Sequence, residues 1–362
     1  MANKQQNGNL VDISSNTQVI KLYNKKGRVL RIVSLVLSII FLLAGVACLI
    51  VPGFIDYFVG RVNKVSTERV SDSAVKDKNY LKSDQLIEDD EILNVMLFGE
   101  DDRKGDKYGR TDTMILLSID NIHKKIKLTS FQRDTYVYIP GEDIYEKINA
   151  SYTLGGAELS IKTIEANFGI KIDKYAIVDF TGFKDIINKI GGVEMEISQD
   201  EIDYINYQMY KNGQADTRTT ITAAPGMVKL DGQEALWYAR NRGLSKGEDG
   251  NEIGLDGDDW DRTSRQRKLL TKLVADMKQK DLITIVDVAT TIGPMITTNL
   301  TKDDITFLLT NVLTYINYEV VQNYVPQQNL WYYNNDTDAG SVIAITDLNA
   351  QRLALAEFIY DK

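Results

Sequence analysis

The chain has 362 residues, with 42 Lys+Arg against 51 Asp+Glu, one His and one Cys. Such a length builds one large or two ordinary domains, and 43% hydrophobic residues with only 5 Pro mark a folded chain. His123 and Cys48 alone exclude a His/Cys zinc cage and an intrachain disulfide, and a net charge of −9 argues against a whole-chain grip on nucleic acid.

The charge is unevenly placed. Residues 1–31 carry Lys4, Lys21, Lys25, Lys26, Arg28 and Arg31 against Asp12 alone, which leaves the rest strongly acidic. From Ile32 to Val51 runs the uncharged stretch IVSLVLSIIFLLAGVACLIV, ended by Pro52-Gly53. As a helix it spans about 30 Å, the thickness of a bilayer's hydrocarbon core. By the positive-inside rule, 1–31 is a cytoplasmic basic segment, 32–52 a transmembrane helix, and everything after it lies outside. A cleaved signal peptide is the competing reading. Gly45-Val46-Ala47 faintly matches a cleavage site, but the apolar run continues past the roughly 7–15 residues of a signal core. Cys48 falls inside the span, so the exported part has no cysteine and depends on its own core.

Residues 53–90 are polar with mixed charge and read as a stalk, which leaves 91–362 as the folded domain. Ile92–Gly99, Thr113–Ile119 and Ile126–Phe131 are short apolar runs rich in β formers. Asp120–Lys125 between the last two reads as a hairpin connection, with His123 a solvated residue in it. Ala157–Phe168 and Thr181–Ile190 read as helices, Tyr175–Phe180 and Val193–Ile197 as strands, with Gly191-Gly192 as the stop between helix and strand. Helices are further predicted over Asp231–Arg242, Arg262–Lys278, Asp281–Ile292, Lys302–Ile316 and Thr346–Phe358, and a strand over Glu319–Val325. Gly293-Pro294 closes the third of these helices, and the Gly/Asp-rich Gly243–Gly257 reads as a mobile loop. Strands mixed with helices predict a single α/β domain, a central mixed sheet flanked by helices.

The most informative feature is a series of short Arg/Asp clusters beside predicted strands and helices. They are Gly99-Glu100-Asp101-Asp102-Arg103, Arg110-Thr111-Asp112, Arg133-Asp134-Thr135, Arg240-Asn241-Arg242, and Asp259-Trp260-Asp261-Arg262 followed by Arg265-Gln266-Arg267. In open α/β sheets ligands bind where strand ends meet loops. Guanidinium groups fork onto phosphate oxygens, and hard carboxylate oxygens hold Mg²⁺ or Mn²⁺. Surface ion pairs explain any one cluster as well. Five together, with Arg110 and Asp112 at one strand end and Arg133 at another, have the composition of a site for a metal-bridged diphosphate.

These residues resemble the LytR-CpsA-Psr family, proteins that attach glycopolymers to bacterial cell walls. The similarity runs from about Leu93 to Lys278. It comprises Gly99–Arg103 (G-x-D-x-R), Arg110–Thr113 (R-[ST]-D-T), Arg133–Thr135 (R-D-T), Lys147–Tyr152 (K-I-N-x-x-Y), Tyr175–Phe183 (Y-x-x-V-D-F-x-G-F), Ile190–Val193 (I-G-G-V), Tyr238–Arg242 (Y-A-R-x-R) and Asp259–Gln266 (D-x-x-R-x-x-R-Q). Each string alone is weak, and their shared order is specific. Three departures stand out: Phe131-Gln132 where the family has Ile-Pro, Asp261 in place of a glycine, and the long acidic loop Gly243–Gly257.

The resemblance implies an extracellular, membrane-held phosphotransferase. Its donor would be a teichoic acid, capsule or similar glycopolymer on a polyprenyl diphosphate carrier, and its acceptor peptidoglycan. The family's metal-holding positions fall on Asp101 and Asp112. Its diphosphate-binding positions fall on Arg110, Arg133, Arg240, Arg242 and Arg262, with Gln266, Asp259 and Lys147 beside them. Ile161, Ile164, Phe168, Phe183, Ile186, Ile187 and Ile190 are candidates to line a slot for the lipid tail. A hydrolase with water as acceptor and a non-catalytic lipid-diphosphate binder remain as alternatives. A DNA-binding regulator is excluded by topology, since the basic segment is too short for a DNA-binding fold.

Overall fold

The apolar runs become strands because their alternate side chains fill two separate cores. The structure, a computed structural model, describes residues 60–65, 68–101, 108–216, 220–243, 245–246, 252–253, 257–277, 291, 293–315 and 318–361. The basic segment, the predicted span Ile32–Val51, Asp102-Arg103 and nearly all of the predicted helix Asp281–Ile292 lie outside the described residues. No helix among those described is long and apolar enough to cross a membrane.

A seven-stranded mixed sheet is built from β1 (Asn63–Lys64), β2 (Ile92–Asp101), β3 (Arg110–Asp120), β4 (Lys125–Phe131), β7 (Lys174–Asp179), β12 (Ile296–Thr298) and β13 (Glu319–Val325). Their order is β1-β12-β7-β2-β3-β4-β13. β2 runs parallel to β7 and antiparallel to β3, while β4 runs antiparallel to β3 and parallel to β13. The carboxyl ends of β2, β4, β7 and β13 and the amino end of β3 therefore share one edge. Smaller hairpins are β5 (Tyr136–Ile139) with β6 (Ile144–Lys147), β8 (Val193–Ile197) with β9 (Gly226–Leu230), β10 (Ser245–Lys246) with β11 (Glu252–Ile253), and β14 (Trp331–Asn334) with β15 (Val342–Ile345).

Val95, Ile115, Leu117 and Leu128 face one core, while Met96, Phe98, Met114 and Leu116 face the other, the period of two expected of strands. The second core is closed by α1 (Ala150–Phe168) and α8 (Leu348–Tyr360). The first is closed by α2 (Phe180–Lys189), α3 (Gln199–Lys211), α4 (Gly232–Arg240), α5 (Asp259–Met277) and α6 (Lys302–Thr310), with α7 (Val312–Tyr315) following. This partition corrects the predicted lipid slot. Ile161, Ile164 and Phe168 lie in one core, and Ile187 and Ile190, with Phe183 and Ile186 packed on them, lie in the other. Residues on opposite faces of a sheet cannot line one slot.

The expected helix Ala157–Phe168 is present as the main part of α1, preceded across a non-helical kink at Gly155 and Gly156, the latter at φ +67°, by a short helical stretch over 150–154. Two other expectations change. The predicted stalk is packed down from Arg69 onward: the Arg69 Nη1 donates to Glu165 Oε1 at 3.0 Å, the Leu81 amide donates to the Ala166 carbonyl at 3.0 Å, and Val75 is buried. His123 is not simply solvated. Its Nδ1 lies 2.8 Å from Asp120 Oδ2, whose charge is also met by the buried Lys127 Nζ at 2.8 Å.

Candidate functional site

The site forms at the shared strand edge, and a fault in the sheet helps to build it. Gly99 pairs with Thr113 but Glu100 pairs with Thr111, so Asp112 is the extra residue of a β-bulge. The buried Thr111 hydroxyl holds this bulge, donating to the Thr113 carbonyl at 2.8 Å with the Gly99 carbonyl 3.1 Å away. Asp112 is thereby released from the ladder.

Two arginines from distant parts of the chain meet it. Arg133, two residues past β4, brings Nη1 to 2.6 Å from Asp112 Oδ1. Arg262, in the first turns of α5, places Nη1 3.4 Å from the same oxygen and donates through Nη2 to the Asp112 carbonyl at 3.0 Å. Asp259 closes the group, with Oδ2 2.9 Å from Arg262 Nη2 and Oδ1 3.2 Å from Arg133 Nε. Beyond Arg133, Asp134 lies 3.4 Å from its Nε and 3.2 Å from Lys147 Nζ. Arg262 is only 1% exposed, an arginine held almost wholly inside the protein.

The other predicted residues surround this core. Asp101 ends β2 with Oδ2 3.8 Å from Arg240 Nη2 and is the cross-strand neighbour of the exposed Arg110. The Arg240 guanidinium lies 4.6 Å from the Phe180 ring centre and 5.3 Å from that of Trp237. Arg240 and Arg242 line a cavity of about 490 Å³ together with Tyr204, Gln208, Trp237, Gly243 and Gly257. Gln266 reaches the Ala239 carbonyl at 3.4 Å, so it ties α5 to the end of α4 rather than pointing into the cluster.

Two departures from the family pattern resolve physically. Gln132 is fully buried, and its Nε2 donates to Thr263 Oγ1 at 3.1 Å, locking the Arg133 segment to α5. Asp261 turns away: its Oδ2 accepts from the Asp258 amide at 3.2 Å, so it caps a turn instead of adding charge to the cluster. Arg265 belongs to the last of the Arg/Asp clusters but not to the expected diphosphate-binding set. The structure gives it a structural task, with Nε donating to Glu201 Oε1 and Nη1 to the Asn241 carbonyl, both at 3.1 Å.

The two central carboxylates differ electrostatically. Burial raises the Asp112 pKa, but Arg262 and Arg133 more than offset it and hold the group at about 2. Burial also raises Asp259, and there the same arginines offset only part of the effect, so it stays above the ordinary aspartate value. Asp112 is thus a permanent anion of the kind a hard cation prefers. Among the described residues the one tight group of three potential metal ligands is Asp120, His123 and Asp361, away from this site and already served by Lys127. Asp101 and Asp112 therefore do not make a protein cage. Each offers hard oxygen atoms of the type Mg²⁺ takes, one or two carboxylates to an ion, while Asp101 faces Arg240 and Asp112 is engaged by Arg133 and Arg262.

The family model for LytR_cpsA_psr matches residues 57–351. The chain is 30% identical over 256 residues, 70% of its length, to the polyisoprenyl-teichoic acid–peptidoglycan teichoic acid transferase TagV of Bacillus subtilis, and the match spans 61% of that relative. It is 28% identical to the corresponding transferase TagU of Bacillus cereus over 82% of this chain and 92% of that protein. The solved structure of YwtF (TagT) of Bacillus subtilis with bound octaprenyl pyrophosphate shares the fold at a TM-score of 0.53 and 23% identity, over 75% of this chain and 91% of that one.

Proposed function

The chain belongs to the LytR-CpsA-Psr family, and on that footing we propose that it is a membrane-anchored phosphotransferase acting outside the cell. It moves a glycopolymer from a polyprenyl diphosphate carrier to peptidoglycan. The observation that carries this reading is the convergence of Arg133 and Arg262 on Asp112 and Asp259, with Arg240 and Arg242 lining the adjacent cavity. Guanidinium forks match the oxygens of a diphosphate, and the carboxylates hold the forks in place before it arrives. The activity named for TagV and TagU and the lipid bound by TagT supply the donor class.

In this reading Arg110, Arg133, Arg240, Arg242 and Arg262 bind the two phosphates and take up charge as it grows on them. One such arginine is worth on the order of 10³–10⁵ in rate in other phosphoryl transfers. Lys147 acts through Asp134, and Gln266 through the end of α4. Asp101 and Asp112 would hold Mg²⁺, or Mn²⁺ in its place, which supplies further neutralisation of the diphosphate. An acceptor sugar hydroxyl attacks the sugar-side phosphorus in line, the bond to polyprenyl phosphate breaks, and Asp259 takes the hydroxyl proton.

Mass spectrometry of lipid co-purified with the full chain from membranes tests the donor class. A polyprenyl diphosphate glycan supports the reading, and a phospholipid or no bound lipid in the wild-type protein counts against it. The proposed topology requires a reporter active only outside the cell to work after Lys362 and to fail before Ile32.

A further inference from the structure

A row of aromatic rings leads away from the phosphate-side cluster. Trp260, next to Asp259, stacks on Trp331 with ring centres 5.1 Å apart and planes at 28°. Trp331 meets Tyr333 edge-on, also at 5.1 Å. Tyr333 is 51% exposed, and its hydroxyl lies 3.5 Å from Oδ2 of the exposed Asp258. The hairpin β14–β15 that carries the last two rings is joined to the site directly: the Ile343 amide donates to the Asp134 carbonyl at 2.9 Å, and Ile343 bridges Thr135. The row therefore starts beside the proposed proton acceptor and runs outward on a strand fixed to the Arg133 segment.

We propose that Trp331 and Tyr333, with Asp258, form a docking platform for the glycan strand of the acceptor. This rests on the reading of the site as a transferase with a sugar hydroxyl as acceptor. A pyranose has an apolar C–H face and a rim of hydroxyls. A flat aromatic ring covers the first without desolvating polar atoms, and a neighbouring carboxylate accepts from the second. Asp258, with Asp336 and Asp338 in the hairpin loop, makes the surface acidic, which favours a near-neutral N-acetylhexosamine chain over a polyanionic glycopolymer or an anionic lipid surface. Alternation along β14 sets Tyr332, itself 50% exposed, on the opposite face from Trp331 and Tyr333. Tyr332 is therefore a control of equal character placed away from the platform.

The test titrates the detergent-solubilised full chain, without donor, with chitotetraose and follows tryptophan fluorescence. Saturable binding is expected, weakened at least tenfold by Tyr333→Ala and by Tyr333→Leu, which keeps apolar bulk without a flat face. Tyr333→Phe and Tyr332→Ala should stay within threefold of wild type, and circular dichroism shows which variants are folded. The proposal is overturned by a wild-type protein that shows no saturable binding, by equal affinity in the folded Tyr333 variants, or by a Tyr333-dependent interaction with phosphatidylglycerol vesicles in place of the sugar. No donor is present, so a failed transferase reading leaves this result standing. Lost sugar binding likewise leaves diphosphate binding to be measured separately.

Discussion

Asp112 and Arg133, 21 positions apart, meet at 2.6 Å because a β-bulge frees the first from its strand ladder and the end of β4 turns the second toward it. The pair is a charged contact made before any substrate is present. Its consequence is that the guanidiniums of the proposed phosphate site are held in place by carboxylates.

Acid should dismantle that contact in a known direction. The folded Asp112 value of about 2 lies below the ordinary 3.8, so its ionised form stabilises the fold above pH 3.8, and this is lost as pH falls toward 2. The contribution is on the order of 2 kcal/mol. Asp259 acts in the opposite sense, since its raised value makes the ionised form costly in the folded state. Denaturant unfolding between pH 5 and 2 should show a steeper loss of stability in wild type than in Asp112→Asn, and parallel curves would disprove the assignment.

Arg262 and Arg240 should respond differently to lysine. Arg262 makes fork contacts to Asp112 and Asp259 while 1% exposed, so Arg262→Lys removes buried charge-assisted bonds and should cost about 1.5–3 kcal/mol of stability. Arg240 is half-buried against Phe180 and Trp237 at the cavity wall, so Arg240→Lys should leave the melting temperature nearly unchanged and reduce donor binding strongly. Equal thermal effects in the two variants would show that they do not occupy different environments.

Gly232 should matter without touching the site. A Cβ there would sit 2.3 Å from the Lys184 carbonyl oxygen, so Gly232→Ala must push α4 off α2, at a cost of about 1–3 kcal/mol. Because α4 ends in Arg240, donor binding should fall with stability. A variant that is destabilised yet binds donor normally would separate this helix packing from the site.

Most of the central sheet was legible because strand length and apolar content coincide: Glu319–Val325 lies where its composition puts it, as does Val193–Ile197 in the separate β8–β9 hairpin. The bounds of β3 were missed at Arg110–Asp112 because polar residues there serve the site and not the core. α3 was overlooked although Ser198 and Glu201 form a capping box, a readable start signal in front of a helix whose outer face is polar. The motifs singled out the candidate residues, but not which of them contact one another. Nothing in the chain order tells that Arg265 pairs with Glu201 while Arg262 pairs with Asp259, or that one residue of β3 is a bulge. Those depend on register and burial, which only the folded chain sets.

Asp259 should set the acid limb of the reaction. As the proposed base it works ionised, so transfer should fall as pH drops through a value above the ordinary 3.8. Asp259→Asn should lower turnover by roughly 10²–10⁴ and keep lipid-diphosphate binding, since a negative charge beside Arg133 and Arg262 is removed. An unchanged pH profile in a turning-over Asp259→Asn variant would remove it from the proton transfer.

The central claim is the transfer itself. The full chain, given a synthetic polyprenyl diphosphate donor labelled in its sugar and insoluble peptidoglycan as acceptor, should place the label in the peptidoglycan and release polyprenyl phosphate in equal amount. This should require Mg²⁺ and stop in Asp112→Ala. Label released to water as free sugar phosphate, or transfer unaffected by chelation and by Asp112→Ala, would contradict the account.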